Sequence, residues 1–199
     1  MAYSTPGIDE ATRQWIISQI VANVSSLNTA LASDNLTPVA PATSGSVFYG
    51  DPTLMPQLPF WICVYGGGGI SGGADMEVSQ LYIDFVRYSS TIHSSIAVYL
   101  HPDTFQPAPN TSGGPAQVAS RERLLSRICD FLRAECFNTF DAASPTLTSQ
   151  EYIGTDPTQY DFLDRAHIES IEKDWTYKSF AGSQKLQYAL LRHVAEIGG

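Results

Sequence analysis

Six consecutive bulky apolar residues, FWICVY at 60–65, bounded by Pro59 and Gly66, constrain the fold of this chain more than any other segment. A run of that length, rich in aromatic and β-branched side chains, reads as a strand. The loop GGGGISGG follows at 66–73. A second strand is expected over 77–88, with Leu81, Ile83 and Phe85 on one face and Tyr82, Asp84, Val86 and Tyr88 on the other. The natural pairing of these two strands is an antiparallel hairpin across the glycine loop.

Upstream, one apolar stripe of Ile17, Ile20, Val21, Val24, Leu27 and Leu31 predicts a single amphipathic helix over 6–32. Thr5 can cap it, Pro6 suits its first turn, and Asp9 and Glu10 favour its positive end. Residues 33–59 contain five prolines and read as a long loop, interrupted by a strand-like piece at 46–49. Residues 94–100 alternate as a third strand or close a turn. Residues 102–115 hold four prolines and little that packs, which marks an excursion over 102–119. Ser120 is placed to cap a mid-chain helix over 121–137, with Leu124, Leu125, Ile128, Phe131 and Leu132 inward. Residues 166–178 alternate as a strand. Over 184–197, Leu186, Tyr188 and Leu190 fit a strand, whereas Leu186, Leu190, His193 and Ile197 fit a helix; the strand is favoured. The order predicts one α+β domain over 1–199. A mostly antiparallel sheet is flanked by the N-terminal and mid-chain helices, with loop insertions at 33–59, 66–73 and 102–119.

Charge narrows the function. Only 16% of the 199 residues are charged and the formal net charge is −9, which argues against a free-standing nucleic-acid binder. Six of those negative charges fall within 141–174, where Asp161, Asp164, Glu169, Glu172 and Asp174 cluster. Paired carboxylates could do acid–base work or hold a cation; a solvated face or a subunit contact is the plainer reading. The main basic surface is expected on the mid-chain helix, at Arg121, Arg123, Arg127 and Arg133, as a phosphate-contacting stripe, as locally paired charges on a solvated face, or meeting the acidic region of a neighbouring copy. Cys63, Cys129 and Cys136 read as buried reduced thiols. Neither they nor His93, His101, His167 and His193 show metal-ligand spacing. No apolar run is long enough to span a membrane, and MAYSTPGIDE lacks the marks of a secretory leader.

The glycine loop touches two catalytic patterns. Gly67, Gly69 and Gly72 satisfy G-x-G-x-x-G, but a strand-like segment follows where a dinucleotide site needs a helix, and no acid lies at the ribose distance. Gly69-Ile70-Ser71-Gly72-Gly73 fits the elbow of serine hydrolases, with Asp103 or Asp141 and His167 or His193 in chain order. An elbow normally follows several core strands and leads into a helix, and here it does neither.

The element order and loop placement resemble the tail terminator (tail-completion) proteins of long-tailed bacteriophages. The resemblance rests on the amphipathic N-terminal helix, PFWICVYGG at 59–67, LYIDFVRY at 81–88, the helix over 124–132 and LQYALLRHV at 186–194. It implies a structural virion protein, made in the host cytoplasm. Its homo-oligomer would be a hexameric ring that caps the tail tube, joins it to the head-side connector or stopper and meets the sheath where there is one. DNA would pass through without sequence-specific binding, and no membrane, catalysis, cofactor or metal is implied. Gly67, Gly69, Ile70, Arg123, Arg127, Asp161, Asp164, Glu169 and Glu172 are then interface candidates, and Asp103, Phe105, Gln106 and Asn110 mark an extended loop. The alternatives are another connector, stopper or baseplate adaptor, or a small hydrolase using Ser71.

Overall fold

The N-terminal stripe folds as two helices. In the computed structural model, which describes residues 8–36, 44–66, 76–81, 88–102, 104, 115–137, 162–180 and 184–198, α1 spans Ile8–Ala22 and α2 spans Val24–Ser33. The single helix expected over 6–32 breaks at Asn23. Its Nδ2 donates to the Gln19 carbonyl at 2.9 Å and its backbone N–H to Gln19 and Ile20, a local side-chain bond that competes with the helical ladder. Asn35 ends α2 in the left-handed region (φ 58). The Leu36 N–H then reaches the Leu31 carbonyl, the Asn35 N–H reaches Ala32, and both leucines are buried, a Schellman cap.

A mostly antiparallel sheet carries the fold. A 3₁₀ turn at Ser44–Ser46 leads into β1, Val47–Tyr49, within the proline-rich stretch. β2 is Phe60–Gly66, β3 Met76–Leu81, β4 Tyr88–Leu100, β5 Phe162–Phe180 and β6 Gln184–Gly198. The order is β1-β2-β4-β6-β5, with only β1 and β2 parallel. Residues 184–197, ambiguous in sequence, are strand throughout.

The hairpin expected across the glycine loop does not form. β2 and β3 do not pair with each other. Both run antiparallel to β4 along the same edge, end to end: Gly66 lies opposite Ser94 and Met76 opposite Ile92. The glycine segment therefore leaves and rejoins one strand line at points about 7 Å apart, two residues of rise. The third strand expected at 94–100 is the far half of β4, whose near half pairs with β3. Residues 82–87 of the expected second strand lie outside the described residues.

The continuous apolar run of β2 follows from burial on both faces. Phe60, Ile62 and Val64 join Ile92, Ile96, Val98, Leu100, Ala189, Leu191 and Ala195 under the helices, against Trp15, Ile16, Ile20, Leu124 and Ile128. Trp61 and Cys63 face the other way and are buried with Ala97, Tyr99, Leu186 and Leu190, against Phe48, Met55, Tyr65 and Tyr188. Trp61 stacks on Tyr99 at 5.7 Å between centroids, and Tyr99 meets Tyr188 at 5.9 Å.

The mid-chain helix, α3, starts at Pro115 and runs to Phe131, so Ser120 lies inside it rather than capping it. Proline at a first helical position needs no N–H partner there, and this start takes five residues from the expected excursion. A π turn at Leu132–Cys136 closes the helix, its geometry marked by the Phe137 N–H to Leu132 carbonyl bond at 3.1 Å. The wider turn accompanies burial of Cys136 and Phe137 beside Leu132.

Candidate functional site

The acidic cluster falls on an edge strand. Glu169 and Glu172 are exposed on β5, whose outer side has no strand partner among the described residues. Three register shifts and the exposed charges protect that edge from indiscriminate pairing. Glu172 lies 3.3 Å from Arg192 on β6. Both are exposed, and a pair of this kind is worth less than about 1 kcal/mol. Lys173, exposed on β5, donates to Ser126 Oγ of α3 at 3.0 Å. Asp164 lies on β5, though its side chain is outside the described residues, as is Asp161 altogether.

The basic stripe expected on the mid-chain helix is divided by the fold. Arg123 and Arg133 are exposed, but they share the surface with Glu122, Asp130 and Glu135. Arg127 Nε lies 2.6 Å from Asp34 beyond the end of α2, an ion pair without a well-aligned hydrogen bond that ties α2 to α3. Arg121 is buried. Its Nε donates to Gln187 Oε1 at 2.7 Å, and its Nη1 donates to the carbonyls of His101 (3.3 Å), Pro102 (3.2 Å) and Thr104. The four arginines thus do three different things, and only Arg123 and Arg133 carry the outer surface the sequence suggested.

The two loop candidates leave the fold from fixed roots. Thr104 Oγ1 donates to the Pro59 carbonyl at 2.6 Å, the His101 N–H to the same carbonyl at 2.9 Å, and the Thr104 N–H to His101 at 3.0 Å. With Arg121 these bonds pin the start of the 102–114 segment between β2, β4, α3 and β6. At the glycine loop, Arg13 of α1 lies over the Tyr49 ring, 4.9 Å from its centroid, and against Gly66, where any Cβ would collide with the guanidinium. Gly67, Gly69, Ile70, Asp103, Phe105, Gln106 and Asn110 lie outside the described residues.

The hydrolase constellation loses one of its bases. Ser71, Asp103 and Asp141 lie outside the described residues, His167 is half-buried on β5, and His193 is fully buried beneath α1. Desolvation, with a lesser push from His167, lowers the His193 pKa from 6.5 to about 3, so the ring stays neutral and away from any substrate. Cys63, Cys129 and Cys136 are buried thiols outside any disulfide, as expected. Desolvation raises the pKa of Cys129 and of Cys136 to about 12.

Sequence reasoning missed one polar constellation on the face away from the helices. Tyr65 Oη donates to Asp51 Oδ1 at 2.5 Å and lies 3.1 Å from Tyr99 Oη. Burial first, then these bonds, raises the Tyr65 pKa, and burial raises that of Tyr99, so both phenols stay protonated. The signal that could have found it is the polar end of an otherwise apolar strand: a buried tyrosine needs a partner for its hydroxyl. Asp51, brought close by the parallel β1–β2 pairing, supplies it.

Among the described residues no group of three or more His, Cys, Asp or Glu side chains is arranged to hold a metal ion, and no helix is long and apolar enough to cross a membrane. No protein-family model matches the chain, and no curated protein matches it significantly.

Proposed function

We propose that the chain is a structural protein of a phage tail, forming a ring that caps the tail tube and joins it to the head-side connector while DNA passes through. The observation that carries this reading is the element order: N-terminal helices, the buried strand β2, the antiparallel β4, helix α3, and the β5–β6 hairpin. It is the order on which the resemblance to tail terminators rests. The bonds of Thr104 and the pairing of Gly66 with Ser94 support it further, because they fix where the two candidate loops begin. In this reading Glu169 and Glu172 of one copy meet Arg123 and Arg133 of the next, a heterologous contact that closes by rotation. The remaining acidic surface repels the phosphate backbone and lets DNA slide. A tagged chain incorporated into assembled particles tests the role directly. Label confined to the junction between tube and head is expected; label along the tube, at the distal end or nowhere on the particle contradicts it.

A further inference from the structure

His193 sits where β4, β5, β6, α1 and the π turn converge. Its cross-strand neighbours are Ser94 on β4 and Ile168 on β5. Its ring lies 4.8 Å from that of Phe137, edge-on at 75°, and 6.0 Å from that of Trp15. The side chain is fully buried, and neither ring nitrogen has a hydrogen-bond partner among the described residues. Ser94 Oγ and Trp15 Nε1 are buried without partners beside it.

A neutral imidazole tolerates such a place at modest cost. An imidazolium carries two N–H donors and a charge, and needs acceptors or a counter-charge. Among the described residues the seam provides little of either. Phe137 and Ile168 are apolar, the Trp15 indole only donates, Ser94 has one hydroxyl, and burial holds the Cys136 thiol neutral. His167 on β5 adds repulsion once charged. His93 occupies the β4 position opposite Val194, on the sheet's other face, as does His167 on β5. Arg13 of α1 is itself cationic, and Arg133 and Glu135 of the π turn are exposed.

We propose that His193 is an acid-sensitive lock between the sheet and the layer formed by α1 and the π turn: proton uptake by its ring opens that seam while the strands stay paired. The helix side is the part that yields because its hold on the sheet is side-chain packing, whereas β6 is bonded along its length to β4 and β5. The sign is fixed by the direction of the shift. The folded ring has the lower pKa, about 3 against 6.5, so the open state binds the extra proton between those values. The lock is complete above about pH 6.5 and weakens as pH falls toward 3.

Amide hydrogen exchange of the full chain across pH 7.5 to 4, expressed as protection relative to intrinsic rates, tests this. Protection of 12–22 and 132–137 should fall about tenfold per pH unit below 6.5 and disappear while β2 and β4 remain protected. His193→Met, which keeps bulk and removes the titration, should flatten that slope; a double His93→Gln, His167→Gln variant should keep it. If His193→Met does not fold, imidazole NMR of the unmodified chain decides. His193 must stay neutral until protection of α1 is lost. Titration of His193 near 6.5 with α1 still protected, loss of α1 and β4 protection at one pH, or a slope that follows His93 and His167 would overturn the proposal.

Discussion

Arg121 and His193 are two answers to the same problem, a polar side chain that the fold takes out of water. The Arg121 guanidinium is held out of water with Gln187 and three backbone carbonyls accepting from its fork. His193 has no such acceptors among the described residues, and burial keeps its ring neutral. Truncation of Arg121 therefore removes the side-chain donors to the carbonyls of His101, Pro102 and Thr104 at the loop root. Arg121→Ala should destabilise the protein by about 3 kcal/mol, read from urea midpoints, and Arg121→Lys should recover only part of that, since an ammonium lacks the planar fork. A neutral effect for Arg121→Ala would mean that the root is held without it. Neither role could be read from spacing. Four arginines along a helix look like one stripe, and what separates Arg121 from Arg123 is a set of acceptors at 101, 102, 104 and 187 that only the tertiary fold assembles. The burial of His193 follows once 184–198 is a strand, because His193 then shares a face with Ala189, Leu191 and Ala195.

At the scale of elements, the periodic segments were legible and their partners were not. The helical stripes name their elements through side-chain period and FWICVY through its length and bulky apolar composition, whereas 184–197 fits both periods and is resolved as strand only by the fold. Pairing depends on where the chain returns, and the glycine run misled because a short apolar strand, a glycine loop and a second strand is also how a hairpin is written. Here the loop interrupts one strand line, with β4 supplying the partner to both halves. The helix break is local chemistry that apolar spacing cannot register, since the stripe continues through Asn23 while its side chain takes the Gln19 carbonyl. The fixed roots give the second loop its prediction. Replacing 105–114 with a short Gly-Ser linker leaves Thr104, Arg121 and the start of α3 in place. Thermal unfolding should then shift by less than about 4 °C while attachment to tail tubes is impaired. Cooperative unfolding at a much lower temperature would show that the segment belongs to the core.

For the whole molecule, the centre of the sheet is buried on both faces, and the exposed charged residues among those described lie mainly on the β5 edge, at Arg192 and on the back of α3. The exposed acids of β5 lie on one edge, Arg123 and Arg133 lie among acids on the back of α3, and Arg121 and Arg127 are taken up within the chain. Among the described residues that leaves a few exposed charges of both signs, whose interactions are screened by salt. Charge scarcity was visible in composition, whereas its division between internal clamps and outer surface required the fold. Ring assembly of the proposed tail protein is decided by mass in solution from light scattering, with negative-stain images of the same sample before and after adding tail tubes. Closed rings, either free in solution or formed on tube ends from monomers, are expected; a strict monomer that never joins a tube would overturn the proposal.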